Sequence, residues 1–235
     1  MESFHYDLTT LYVIGIDLIV AVLMLTLLHK GGASTQTKWT FGLGSVLWIG
    51  FLDWVFRGKH IFPEDMSGPV FYGIILVSAV AVLVLFYLSP IKQAFDNLSQ
   101  VDIQLTQGWR VFVAAGFMAE GTWRVIPANF GILDGYLHIT SAFLALTAAV
   151  LLSQKAPKAK SVLWSANIIG TLDPLIIVTG ICFFVWEAMG PHHNMMYVVF
   201  YAAPIVLWLH FTSIRKLLLE QNEEIHFSLQ EEVQA

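Results

Sequence analysis

Charge is what this sequence has least of. Only 12% of its 235 residues are Asp, Glu, Lys or Arg, about half the share of an ordinary soluble domain. That argues against a soluble enzyme and against a disordered chain, both of which need polar residues to keep them in water. Lys and Arg total 12 against 17 acids, for a net charge of -5. Nucleic acid is therefore excluded as a partner, because it requires a basic surface to neutralise phosphates. Cysteine is nearly missing too: Cys182 stands alone, so no intrachain disulfide can form. The metal-site pattern HExxH and any HxxxH pair are also absent.

What is present is apolar. Hydrophobic residues make up 57% of the chain, and they fall in runs long enough to cross a hydrocarbon layer of roughly 30 Å as helices. Seven such runs are predicted: Leu8–His29, Trp39–Phe56, Pro69–Leu88, Leu105–Val125, Leu133–Ser153, Val162–Ala188 and Met195–Ile214. Breakers separate them, among them Gly31-Gly32, Gly68-Pro69, Pro90, Pro127, Pro157 and Gly190-Pro191. The expected fold is an all-α, polytopic seven-helix bundle over residues 1–216, followed by an acidic cytoplasmic tail over 217–235 with glutamates at 220, 223, 224, 231 and 232.

Basic residues set the orientation. Lys30, Lys38, Lys92, Lys155, Lys158, Lys160, Arg215 and Lys216 fall in loops of one side, against Arg57, Lys59 and Arg124 on the other. Because Lys and Arg resist translocation, the N-terminus is expected outside and the C-terminus in the cytoplasm. The lack of a basic leader and of a small-residue cleavage site predicts that the first span stays in the mature protein. The chain is expected to be an integral, multi-pass protein of the cell inner or plasma membrane, in contact with the bilayer.

A weak internal repeat is also readable. Gly50-Phe51-Leu52-Asp53 recurs as Gly170-Thr171-Leu172-Asp173, and this register pairs spans one to three with five to seven around a linking fourth. A parallel 3+1+3 repeat of this kind occurs in carriers. In topology the layout resembles sugar-carrying SWEET proteins and microbial rhodopsins. Retinal is disfavoured, because the seventh span carries only Lys216, at its end, where a rhodopsin has a lysine near the middle. The helix-breaking prolines of a SWEET protein are largely missing, with Pro174 the obvious candidate.

Function is sought in the ionisable residues inside the spans, each costing about 2.5–3.5 kcal/mol to insert. Asp17, Asp53, Arg110, Glu120, Asp134, His138, Asp173 and His210 are of this kind. Helical spacing of four pairs Asp134 with His138, Asp53 with Arg57, and Glu120 with Arg124. Asp17 and Asp173 have no base within helical reach, so each must find one across the bundle, carry a proton or hold a cation. Pro174 should free the carbonyl of Gly170 and break span six beside Asp173. By depth, Arg110 and His210 fall in the inner half and the carboxylates in the outer half. That separation of His210 from His138 disfavours haem.

Asp17, Asp53, Glu120, Arg124, Asp134, His138 and Asp173 are thus candidate groups for binding a solute or proton. Asp134, His138 and Glu120 are also candidate metal ligands, with His192 and His193 able to cap such a pocket. Tyr197, Tyr201 and Trp123 offer rings for an organic cation. The leading expectation is a small-solute or proton-coupled transporter with an outward-facing acidic pocket. The alternative is an intramembrane enzyme using Asp134, His138 and Glu120 as acid–base groups, with or without a metal, on a lipid or isoprenoid. A receptor or structural subunit, its polar groups merely joining helices, is the third. The ligand is accordingly a small molecule, a cation or a lipid.

Overall fold

The structure is a computed structural model that describes the backbone of residues 2–234 and the side chains of 4–222. Among the described residues it is all-helical: α1 (Glu2–Lys30), α2 (Thr35–Arg57), α3 (Gly68–Leu88), α4 (Pro90–Asp96), α5 (Gln100–Thr106), α6 (Arg110–Thr122), α7 (Ala128–Ser153), α8 (Ala159–Phe184), α9 (Trp186–Met189), α10 (Met196–Phe200) and α11 (Ala202–Gln234). Six helices are long and apolar enough to cross a membrane: α1, α2, α3, α7, α8 and the first part of α11. Their outward faces are apolar as well. On α3, Val77, Val80, Val84, Leu85 and Leu88 are each at least half exposed, a pattern that suits lipid and not water. The chain is a polytopic helical membrane protein.

Local sequence explains most boundaries. Gly32 takes a positive φ of 77° to close α1, and the Ser34 hydroxyl accepts from the Thr37 amide to start α2. Ser67 and Pro69 open α3, and Ser89 and Pro90 open α4. Three expected spans differ from the structure, the sixth in stopping at Phe184 short of Ala188, with Trp186–Met189 a separate short helix. The fourth is not one uninterrupted helix over Leu105–Val125: α5 and α6 meet at a 3-10 turn, Gln107–Trp109, where Gly108 lets the chain approach Leu146 of α7. The seventh does not begin at Met195. Pro204 has no amide to donate to the Phe200 carbonyl, and the helix is interrupted at Tyr201 before α11 begins. The Trp48 indole donates to that freed Phe200 carbonyl at 3.2 Å. Trp48, set deep within α2, thus has a backbone to satisfy.

The two ends of the bundle are tied differently. At one end Lys30 pairs with Asp102, Arg215 pairs with Asp96, and Asn97 donates to the Gly31 carbonyl at 3.0 Å. At the other, Tyr6 donates to the His192 carbonyl at 3.1 Å, Trp186 donates to the Met66 carbonyl at 2.8 Å, and His5 stacks on Trp123. The segment from Met195 to Tyr201 is buried inside this second end. Past the predicted boundary at 217 the helix continues without a break, and Leu217 packs with Ala148, Leu163 and Ala166. The side chains of Glu223, Glu224, Glu231 and Glu232 lie outside those described.

Candidate functional site

Three helices place a buried charged quartet at the centre of the bundle. Asp134 and His138 project from one face of α7, one turn apart, Asp173 from α8 and Arg110 from the first residue of α6. His138 Nε2 lies 3.1 Å from Asp134 Oδ1, and its Nδ1 lies 3.0 Å from Asp173 Oδ2. These are ion-pair distances, with neither ring N–H aligned for a full hydrogen bond. The same Asp173 oxygen pairs with the Arg110 guanidinium. Asp134 and Asp173 are fully buried, Arg110 is 1% exposed, and His138 is 8% exposed.

The arrangement balances charge. Two carboxylates at ion-pair distance from opposite nitrogens of one imidazole favour the ring with protons on both. With His138 so protonated, the quartet holds two negative and two positive charges and is formally neutral. That answers the requirement that buried charges be compensated. Asp173, which has no base within helical reach on α8, finds two across the bundle.

Around Arg110 the network extends toward the Gln100 end of the bundle. Its Nη1 donates to the Gly170 carbonyl at 3.3 Å and lies 3.1 Å from His210 Nε2. The Gly170 carbonyl is the one that Pro174 leaves without an amide partner, so a guanidinium replaces the missing bond and α8 continues unbroken through Phe184. The expected break beside Asp173 is absent for that reason. His210 Nδ1 meets Asn167 Oδ1 at 3.1 Å. The Ser213 hydroxyl accepts from Asn167 at 2.8 Å and from Gln104 at 3.1 Å, and donates to Gln100 at 2.7 Å. His210 and Arg110 are therefore not held apart from His138 and the carboxylates. One guanidinium and one carboxylate link the two histidines, because α6 starts at Arg110 and carries that residue to the level of Asp173.

Other predicted groups have different surroundings. Glu120, 1% exposed, does not pair with Arg124. Helix α6 ends at Thr122, and Arg124 adopts a positive φ of 58° that takes it out of helical register to an exposed position. Glu120 Oε1 instead accepts from Asn194 at 2.9 Å, and Asn194 also donates to Thr9 at 2.8 Å. Asp53 pairs with Arg57 at 3.1 Å and accepts from the Tyr197 hydroxyl at 2.9 Å, near the surface. Asp17 is fully buried, and neither of its oxygens has a hydrogen-bond partner. The rings expected to line one vestibule are dispersed: Tyr197 is bonded to Asp53, Tyr201 lies in electrostatic reach of Asp17, and Trp123 stacks on His5.

As a metal centre, Asp134, His138 and Asp173 have donor atoms within 4.8 Å of one another, with Asp173 in the place expected of Glu120. The chemistry of the set does not favour an ion there. Arg110 already engages the Asp173 oxygen, and the quartet is neutral without added charge.

His192 and His193 lie at the Tyr6 end of the bundle. His192 Nε2 meets the Phe62 carbonyl at 2.8 Å. His193, 5% exposed in the connection between α8 and α11, stands edge-on to the Tyr6 ring. Burial pushes the His193 pKa down to about 4, opposed by its bond with the Val125 carbonyl. Between about 4 and the free value of about 6.5 the undocked segment binds more protons than the docked one, so docking weakens as pH falls through that window. At pH 5 the loss is about 2 kcal/mol. Amide exchange over residues 190–197 should accelerate by about tenfold or more between pH 7 and pH 5, after correction for intrinsic rates, and His193→Gln should flatten the change. Equal protection at both pH values would contradict it.

Asn194, Thr9, Gln104 and Ser213 were not among the residues expected from the sequence. Polar uncharged side chains are common in apolar helices and carry no spacing signal, so only the fold reveals them. Arg110 did carry a signal, as the basic residue deepest within any predicted span and hence the partner available to unpaired acids. Comparison with known proteins finds no match among curated proteins and none among solved structures. A family model does match residues 69–218, more than half of the chain, and that stretch contains all four residues of the quartet together with Glu120 and His210. The chain belongs to the family described as a domain of unknown function, DUF8737.

Proposed function

We propose that this chain is a proton-coupled carrier of a small solute, with His138 as the group that takes and releases the coupled proton. The observation that carries the reading is the imidazole set between carboxylates of two helices, balanced by Arg110. Removing one proton from His138 leaves the quartet with a net charge of -1 in a buried setting, where an uncompensated charge costs several kcal/mol. Proton occupancy is thereby coupled to how α7, α8 and α6 pack, which is the property a coupled carrier needs.

Seven crossings with the N-terminus outside fit the same reading. The turn-linked pair α5 and α6 spans 23 residues from Gln100, which bonds to the Ser213 carbonyl at 2.9 Å at one end of the bundle. It ends beside Trp123, which stacks on His5 at the other. Counting it as the fourth crossing puts the eight loop Lys and Arg residues on the side of Gln100, the cytoplasmic side by the distribution of positive charge. The 3+1+3 repeat gains less support: Asp53 and Asp173, which it would pair, are respectively partly exposed and fully buried.

The test is proton movement in proteoliposomes with an entrapped pH-sensitive dye, on adding amines, amino acids, sugars or organic acids. At least one class should drive protein-dependent acidification or alkalinisation. His138→Gln should abolish the movement, because the amide cannot titrate; since it leaves the quartet at -1, His138→Gln combined with Asp134→Asn, which leaves Arg110 and Asp173 as a balanced pair, should do the same and carries the test if the single variant does not fold. The reading fails if no solute moves protons, or if the variant behaves as the wild type.

A further inference from the structure

The neighbours of His210 fix where its proton sits. Its Nε2 lies 3.1 Å from Arg110 Nη1, and its Nδ1 lies 3.1 Å from Asn167 Oδ1. A guanidinium can only donate, so Nε2 must present its lone pair. The ring hydrogen is therefore on Nδ1, and Asn167 must turn its oxygen toward it. That leaves the Asn167 amide group to donate to Ser213 at 2.8 Å, and the Ser213 hydroxyl to donate to Gln100 at 2.7 Å. One arginine thus sets the direction of the whole chain of bonds. Among the described residues, the charged groups that face His210 are Arg110 of α6 and Asp173 of α8. The ring is 1% exposed and, in this arrangement, neutral.

His210 cannot take a second proton while Arg110 stays, because a hydrogen on Nε2 would meet the guanidinium's own hydrogens. Once the guanidinium leaves, that lone pair is a base in electrostatic reach of Asp173. Arg110 has somewhere to go. Its Nε is buried without a hydrogen-bond partner, and Asp134 lies within its electrostatic reach. Loss of the His138 proton strips Asp134 of its counter-ion and draws the guanidinium that way. Charge then decides where the proton can travel. Released to solvent, it leaves the quartet at -1. Transferred to His210 Nε2, it leaves His138 neutral and His210 positive, and the quartet with His210 still sums to zero.

We propose that His210 is a second proton-binding site, closed by Arg110 in this structure and opened when the guanidinium shifts toward Asp134. This deepens the carrier reading, on which it rests, by naming the group that receives the coupled proton from His138 on the Gln100 side of Arg110. The full chain, carrying isotope-labelled histidine, is placed in nanodiscs and followed by NMR from about pH 8 to pH 5. The ring signals of His210 are identified by their loss in His210→Gln. In the wild type the ring should stay neutral, with its hydrogen on Nδ1. In Arg110→Gln, whose amide can accept as well as donate, the ring should become protonated on both nitrogens and so replace the lost positive charge. In proteoliposomes His210→Gln should abolish solute-driven proton movement. Its amide can accept from Arg110 and donate to Asn167 as the neutral ring does, so a purely structural role would survive the change. A wild-type ring protonated on Nε2, an Arg110→Gln ring that stays neutral, or undiminished proton movement in His210→Gln overturns the proposal. The wild-type spectrum and His210→Gln carry the test if Arg110→Gln does not fold. Both NMR results as expected, with no solute moving protons in the wild type, would keep the gated site and remove the carrier. Wild-type movement that persists in His210→Gln would keep the carrier and remove this site.

Discussion

Asp173→Asn should destabilise the folded chain by about 3–5 kcal/mol, the range found when one partner of a buried ion pair is removed. The amide is nearly the shape of the carboxylate, so packing is conserved and the loss is electrostatic. With Asp173 neutral, Arg110 at 1% exposure keeps the Gly170 carbonyl and His210 as neighbours, but the quartet carries a net charge of +1 if His138 keeps its proton. Adding Arg110→Met removes the excess: His138 and Asp134 remain as a balanced pair, and the long apolar side chain fills much of the guanidinium's volume. The double variant should therefore recover most of the stability, apart from the bond that the Gly170 carbonyl loses. Titration with a denaturing detergent, scored by a double-mutant cycle, reads this directly. A single variant within about 1 kcal/mol of wild type, or a double variant no better than the single, would show that the pair is not the electrostatic unit described. The same argument makes Asp173→Asn a poor probe of transport, since loss of fold and loss of coupling would look alike. His138→Gln combined with Asp134→Asn is cleaner, because it removes the titrating ring and leaves Arg110 and Asp173 balanced.

How far the site was legible in the sequence follows from what each residue type signals. Asp134 and His138 were readable as a pair because a spacing of four on a helix is a local property, and the structure places them 3.1 Å apart. The pairing of Asp53 with Arg57 was readable for the same reason. Glu120 and Arg124 obey the same spacing and do not pair, because the rule presumes that the helix continues; Pro127 and the turn at Trp123 end it two residues too soon. Depth was the weaker guide. Counting residues along an assumed straight span put Arg110 well below Asp173. The 3-10 turn at Gln107–Trp109 and the start of α6 at Arg110 bring the two together. The six long apolar helices were readable from hydropathy alone. The inserted segment before α11 had a local signal in Pro204, which frees the Phe200 carbonyl, but the bond from Trp48 that satisfies this carbonyl is tertiary and has no local pattern.

Gly170 links the proline, the arginine and the second histidine, and Gly170→Ala should have the next largest effect. A Cβ at that position would stand 2.3 Å from both Cε1 and Nε2 of His210, a distance at which one group must move. The ring can yield only by leaving Arg110 and Asn167, each of which it meets at 3.1 Å. Overpacking of this kind costs about 1–3 kcal/mol, and the broken contacts add to it. Because the collision is with a side chain and not with backbone, it should be relieved by His210→Ala in the same molecule. The two substitutions together should be less damaging than their sum, by about 1 kcal/mol or more. Gly50→Ala is the control. Gly50 holds the matching position in the sequence repeat, but a Cβ there meets nothing within 4 Å, so the change should be neutral or stabilise α2 by up to about 1 kcal/mol through helix propensity. Equal losses at Gly50 and Gly170 would mean that glycine is required by the helices themselves. A loss confined to Gly170 and relieved by removing the His210 ring would mean that its hydrogen atom is the space in which the histidine reaches the arginine.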